Sequence, residues 1–158
     1  HSVVNDSKVP VIQTGDGVVH VFIDESARLD WAVDIVINAK TQRTSVCNTL
    51  ETLLVHKNAY ATVLPAVMEA LKAKSVTVHG DEQIVAGYPE AVAATEEDWK
   101  TEYYSLDLSV KVVADLDEAL AHIAQYSTKH TESIITESNS NAERFLAEVD
   151  AMVARLKP

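Results

Sequence analysis

The chain has 158 residues, 47% hydrophobic and 23% charged, the composition of one ordinary soluble domain with enough apolar residues to build a core. With 24 acidic against 13 basic side chains the formal charge is -11, and lysines and arginines are scattered singly, which excludes nucleic acid as a partner. The single cysteine excludes an intramolecular disulfide, no apolar run approaches the roughly 18 residues of a membrane span, and no charged-then-apolar leader opens the chain, so the expectation is a cytoplasmic protein without a membrane partner.

In chain order, Val9 to Ile12 is a short apolar run with Pro10, suited to an edge strand or a strand start. Thr14 to Gly17 is a turn signal, and Val18 to Ile23 reads as a buried strand. The two runs could form a simple hairpin, or the turn between them a functional loop. Asp24 and Ser26 offer helix N-caps, after which Leu29, Ala32, Val33 and Val36 recur at helical spacing. Trp31, Ile35 and Ile37 widen that stripe, which predicts a helix buried on most sides.

The next segment, NAKTQRTSVCN, is polar and carries Cys47, ahead of a strand over Glu51 to His56. A cysteine used as a small hydrophobe usually sits inside an element, whereas a nucleophilic one favours a partly exposed turn near cations and backbone N–H groups. Arg43, Lys40 and the following turn are the groups available to favour its thiolate. The residues alone leave both readings of Cys47 open.

A second helix follows, with Tyr60, Val63, Leu64, Val67, Met68 and Leu71 on one face, and Pro65 predicts a late start or a kink. Ser75 to His79 alternates as a short strand, and Asp81 to Pro89 reads as a short helix stopped by Gly87 and Pro89. Ala94 to Tyr104 is an acidic loop containing Trp99, either a surface connection or part of a site. Leu106 to Val113 reads as a strand, and Asp115 and Glu118 form a capping-box pattern before a helix that turns Leu116, Ala119, Leu120 and Ile123 inward. Thr131 to Thr136 is a further strand, and Asn141 to Leu156 a final helix with Phe145, Leu146, Val149, Met152 and Val153 inward. Strands alternating with helices predict one α/β domain with a mainly parallel sheet. The histidines have no metal-ligand spacing, so no metal is expected.

The stretch Asn38 to His56, NAKTQRTSVCNTLETLLVH, resembles the active-site segment of the gamma-glutamyl phosphate reductase family of the aldehyde dehydrogenase superfamily. The resemblance extends through VPVIQTGDGVVHVFIDESA, ATEEDWKTEYYSLDLSVKVV, LDEALAHI and AERFLAEVD, nearly the whole chain. It implies a three-layer open sheet with helices on both faces, of the aldehyde dehydrogenase catalytic-domain type, over residues 1–158 as one catalytic domain. By the same resemblance the dinucleotide-binding and C-terminal oligomerisation parts, and an oxyanion-hole asparagine, lie outside this stretch, so that by itself it is expected to be inactive.

The resemblance implies that Cys47 attacks L-glutamyl 5-phosphate to form a thioester, which hydride from NADPH reduces to L-glutamate 5-semialdehyde in proline biosynthesis. It places Glu102, Gln13 and Gly15 at the cofactor, with Gln13 standing where hydrolytic relatives carry a general-base glutamate. Gln42, Arg43, Ser45 and Asn48 are the expected substrate contacts, and the full enzyme is expected to be a homo-oligomer. From the residues alone, Glu102 reads equally as a solvated surface carboxylate. Thr44 stands where the family usually has proline, and Ser127 and Lys129 replace the glycines of a GTGHSE-like segment around His130. Two other readings are a non-catalytic binding domain derived from this fold, and the reductase part of a bifunctional pyrroline-5-carboxylate synthase.

Overall fold

The computed structural model describes residues 17–151 and the backbone of residues 153–157. Its strands are β1 (Val19–Ile23), β2 (Leu50–His56), β3 (Thr77–Gly80), β4 (Val92–Ala93), β5 (Asp107–Val113), β6 (Thr131–Ile135) and β7 (Val153–Lys157). The helices are α1 (Leu29–Thr41), α2 (Leu64–Ala73), α3 (Glu82–Gly87), α4 (Leu116–Tyr126) and α5 (Asn139–Glu148). All strand pairs are parallel, in the order β4-β3-β5-β2-β1-β6-β7. No antiparallel hairpin joins β1 to a neighbour, and Val9 to Ile12 lies outside the described residues.

The strand order dictates the layers. From β1 the chain steps in one direction through β2, β3 and β4, and right-handed crossovers put α1, α2 and α3 on a single face. After β5 it steps the opposite way to β6 and β7, and α4 and α5 fall on the other face. Val21, Ile23, Leu53, Val55, Leu108 and Val110 meet the first helix layer, while Phe22, Leu54, Val113 and Ile134 meet the second. The central strands β1 and β2 are buried along their entire lengths, which is why they are largely apolar, with His20, Glu51, Thr52 and His56 as buried polar exceptions.

Several expected elements differ in detail. Helix α1 begins at Leu29 behind an extended Arg28 with no side-chain cap, because Asp24 and Ser26 are engaged elsewhere. It is not buried on most sides: Ala32, Val36 and Lys40 are fully covered, Trp31, Ile35 and Ile37 partly, and Leu29 is 47% exposed. One helix layer covers one stripe completely, and the flanking apolar positions Trp31, Val33, Ile35 and Ile37 are only partly covered against it. Pro65 occupies the first turn of α2, where its missing N–H has no helical partner to lose.

The final helix ends at Glu148, and the predicted continuation to Leu156 is instead strand β7, paired with β6. Leu146, expected inward, is 41% exposed; Phe145 is the buried anchor, with Val149 partly covered. The open edge of β6 supplies main-chain partners that helical periodicity cannot anticipate.

Candidate active site

The loops that precede β1, β2, β5 and β6 all gather at the amino edge of the parallel sheet, and the candidate residues ride on them. In doubly wound sheets ligands usually bind outside the carboxyl ends of the strands, where the strand order reverses. Here the carboxyl ends of β1 and β6 are closed by a self-contained polar cluster. Asp24 accepts from Thr136 at 2.6 Å, from Ser26 at 3.1 Å and from Asn141, while Ser26 Oγ accepts the backbone N–H groups of Glu137 and Ser138.

Cys47 is exposed and stands at the corner of a turn closed by Thr49 N–H on the Val46 carbonyl at 2.9 Å. The loop is braced internally, with the buried Thr49 hydroxyl donating to the Arg43 carbonyl at 2.6 Å. Gly17, the residue before the β1 lead-in, packs flat against the same loop: a Cβ there would collide with the Cys47 carbonyl oxygen. The Gly17 N–H donates to Glu102 Oε2 at 3.0 Å, and Tyr104 donates to the same oxygen at 2.7 Å. Cys47, Gly17 and Glu102 thus form one contiguous unit contributed by three separate loops.

The groups that the sequence offers beside Cys47 are placed differently from the sequence expectation. Lys40 is completely buried and donates to Glu51 Oε2 at 2.8 Å, so its charge is spent inside the domain. The Thr49 N–H of the turn is already bonded to Val46. Helix α1 presents its carboxyl end to the loop, a dipole sign that disfavours an anion. Arg43, exposed on the loop itself, is the remaining cation of that group.

Gln42, Arg43 and Asn48 line a cleft of about 660 Å³ between α1 and the strands β1 and β6, whose other walls include Val21, Ile35, Thr131 and Ser133. Cys47, Ser45 and Glu102 are not on its wall, so the expected substrate contacts divide, three on the cleft and Ser45 exposed beside Cys47. Gln13 and Gly15 lie outside the described residues. Among the described residues no group of acidic, histidine or cysteine side chains has the geometry to hold a metal, and no helix is long and apolar enough to cross a membrane.

Around His130 a residue other than glycine takes a left-handed backbone conformation. Lys129 adopts a φ of 62°, the left-handed conformation that glycine reaches without strain, and its N–H is tied to Ser127 Oγ at 2.7 Å. Thr128 then accepts the Val18 N–H at 3.1 Å, joining this loop to the start of β1.

Sequence reasoning missed Gly17, Thr49, Thr128 and Glu51 as parts of the site. A charged residue opening the apolar run LETLLVH was the available signal for Glu51; nothing local marked the others.

No family model matches the chain. It is 57% identical over 152 residues to gamma-glutamyl phosphate reductase of Clavibacter michiganensis, covering 96% of this chain and 35% of that protein. The same name belongs to a Thermobifida fusca relative, 55% identical over 150 residues, covering 95% of this chain and 36% of the other. The crystal structure of gamma-glutamyl phosphate reductase from Thermotoga maritima superposes with a TM-score of 0.93 at 47% identity, over 98% of this chain and 37% of that one. A Thermus 1-pyrroline-5-carboxylate dehydrogenase with bound NAD, 18% identical with a TM-score of 0.69 over 89% of this chain and 35% of its own, shares the fold. The chain thus spans little more than a third of the length of the relatives it matches.

Proposed function

We propose, for a chain homologous over nearly all its length to the gamma-glutamyl phosphate reductases of the aldehyde dehydrogenase superfamily, that it is the cysteine-bearing catalytic domain of such a reductase. The reaction is reduction of L-glutamyl 5-phosphate to L-glutamate 5-semialdehyde and phosphate, a step of proline biosynthesis. The observation that carries this reading is the exposed Cys47 at the corner of a braced turn, in contact with the Gly17 and Glu102 unit.

In this mechanism the Cys47 thiolate attacks the acyl carbon, the carbon–sulfur bond forms, the carbon–oxygen bond to phosphate breaks, and phosphate departs with the bonding pair. A covalent intermediate splits one difficult displacement into two easier steps. Arg43, on the cleft wall and adjacent in the loop, suits the phosphate or the substrate carboxylate, with Gln42 and Asn48 as neutral donors.

Glu102 is the described residue that fits a nicotinamide cofactor. Its Oε2 takes both bonds found among the described residues, from Gly17 and Tyr104, which orients the carboxylate and leaves Oε1 for a ribose hydroxyl. A nicotinamide nucleotide, NADPH in this reading, supplies the hydride when bound. Gln13 and Gly15 would stand beside it. The dinucleotide-binding part, the oligomerisation segment and the resulting homo-oligomer belong to the longer protein in this proposal, and the 158 residues alone would not turn over.

Intact-mass spectrometry after exposure to a small acyl phosphate tests the chemistry this chain performs on its own. The expected result is one acyl group on the native chain, located at Cys47 and absent from Cys47→Ser. Acylation elsewhere, or equal labelling of the variant, overturns the assignment.

A further inference from the structure

The ion pair between Lys40 and Glu51 is the strongest unexplained feature of the amino edge. Both side chains are completely buried, with Lys40 Nζ 2.8 Å from Glu51 Oε2. The second carboxylate oxygen, Oε1, is buried with no hydrogen-bond partner. A buried carboxylate with an open valence is costly, and an apolar pair of similar volume usually serves stability at least as well. Stability alone therefore does not account for it.

Its position is informative. Lys40 lies in the last turn of α1 and Glu51 at the start of β2, so the pair spans the two ends of the loop that carries Cys47. Glu51 is also the extra residue of a β-bulge: Val19 pairs with Leu50 and His20 with Thr52, leaving Glu51 without a counterpart on β1. The bulge interrupts the ladder at Glu51, whose side chain shares the face of Leu53 and Val55 that the first helix layer covers. A third element joins the pair. Lys40 Nζ lies 5.7 Å from the centre of the Tyr103 ring. Tyr103 is held in turn by Asp98 and Ser109, each at 2.8 Å from its hydroxyl, and it directly follows Glu102.

We propose that Lys40 and Glu51 are positioning residues for the proposed reaction: a buried clamp that fixes both ends of the Cys47 loop and registers it against the segment carrying Glu102. This inference rests on the reading of Cys47 and Glu102 as site residues. The clamp touches neither substrate nor cofactor, and its effect is transmitted through backbone geometry at the two ends of the loop.

The test compares the wild-type chain with the K40M/E51L double variant and with Glu51→Gln, by thermal denaturation, hydrogen exchange across residues 42–49 and 101–105, and iodoacetamide alkylation of the sole cysteine. The double variant is expected to melt at or above the wild-type temperature while exchange in both segments accelerates roughly tenfold or more and Cys47 alkylation moves to the rate of the urea-unfolded chain. Glu51→Gln, which keeps one hydrogen bond to Lys40, is expected to fall between the two. Unchanged exchange in a folded double variant would mean that the pair only fills the core, and overturns the proposal. Should the double variant not fold, Glu51→Gln decides by the same readouts. If exchange responds but wild-type Cys47 alkylates like the unfolded chain, the clamp stands and the assignment of Cys47 falls.

Discussion

Gly17 shows how much a single side-chain hydrogen can matter at this site. The loop carbonyl of Cys47 occupies the space where any other residue would place its Cβ, and the Gly17 N–H is committed to Glu102. Gly17→Ala is expected to cost roughly 1–3 kcal/mol, the usual range for forcing atoms into a packed contact. It should also displace the Cys47 turn. Chemical denaturation gives the first quantity, and the pH profile of iodoacetamide alkylation gives the second. A variant with both wild-type stability and a wild-type profile would mean that the contact relaxes freely. The motif NAKTQRTSVCN made Cys47 and its neighbours legible from sequence. Gly17 was legible only as a turn, because its contact partner lies 30 residues away and owes its proximity to the pairing of β1 with β2.

At the scale of elements, the helix ends carry the local chemistry that the sequence announces. Asp115 accepts the Glu118 N–H at 3.0 Å, as the capping-box pattern implies, although the Glu118 carboxylate reaches back one residue further, to the Ala114 N–H at 2.8 Å. Helix α2 ends differently. Ser75 follows its C-cap with a φ of 58°, and the next N–H, of Val76, bonds back to the Leu71 carbonyl at 3.0 Å. This left-handed stop costs an ordinary residue about 1–2 kcal/mol, and glycine reaches it freely. Ser75→Gly is therefore expected to raise stability by roughly 0.5 kcal/mol after the extra chain entropy of glycine is subtracted. Thermal melts of the exposed-site variant measure it, and a lowered melting temperature would mean that the Ser75 side chain contributes more than the strain removes.

His122 brings a pH dependence to the layer formed by α4. It is buried on α4 between His20, Trp99 and Tyr126, with ring centres 5.6, 5.4 and 4.5 Å away. Burial, with smaller contributions from His20 and Lys111, lowers its pKa from the ordinary histidine value to about 3. Glu132, bonded to the His20 backbone and to Ser127, is the carboxylate of the same buried region. Because the folded value is depressed, the unfolded chain binds the proton first as pH falls. The contribution of a neutral His122 is thus fully present above about pH 6.5 and is lost progressively down to about pH 3. His122→Phe is expected to flatten the acid limb of stability against pH across that window, measured by denaturation at several pH values. An unchanged slope would assign the acid limb to other groups.

Over the whole molecule, the direction of each crossover decides which face every helix covers, and the same parallel topology decides which loops meet. Loops preceding four strands converge at one edge, and the opposite edge, where the strand order would favour a ligand, is closed by Asp24 and its partners. The alternation of apolar strands and helices was sufficient to establish an α/β fold with a parallel sheet, because the central strands, buried on both faces, are largely apolar segments between the helices. Periodicity failed at the last segment, where residues with a helical pattern become β7: the pattern records which side chains are apolar, and the free edge of β6 decides where their backbone bonds go. The sequence by itself determined most of the strands and helices, the Asp115 cap and the cysteine motif, since these depend on residues within a few positions of one another. Only the tertiary structure decided that Gly17 packs on Cys47 while bonding Glu102, that Lys40 is spent on Glu51, and that the candidate residues gather at the amino edge, because each depends on which strands lie side by side.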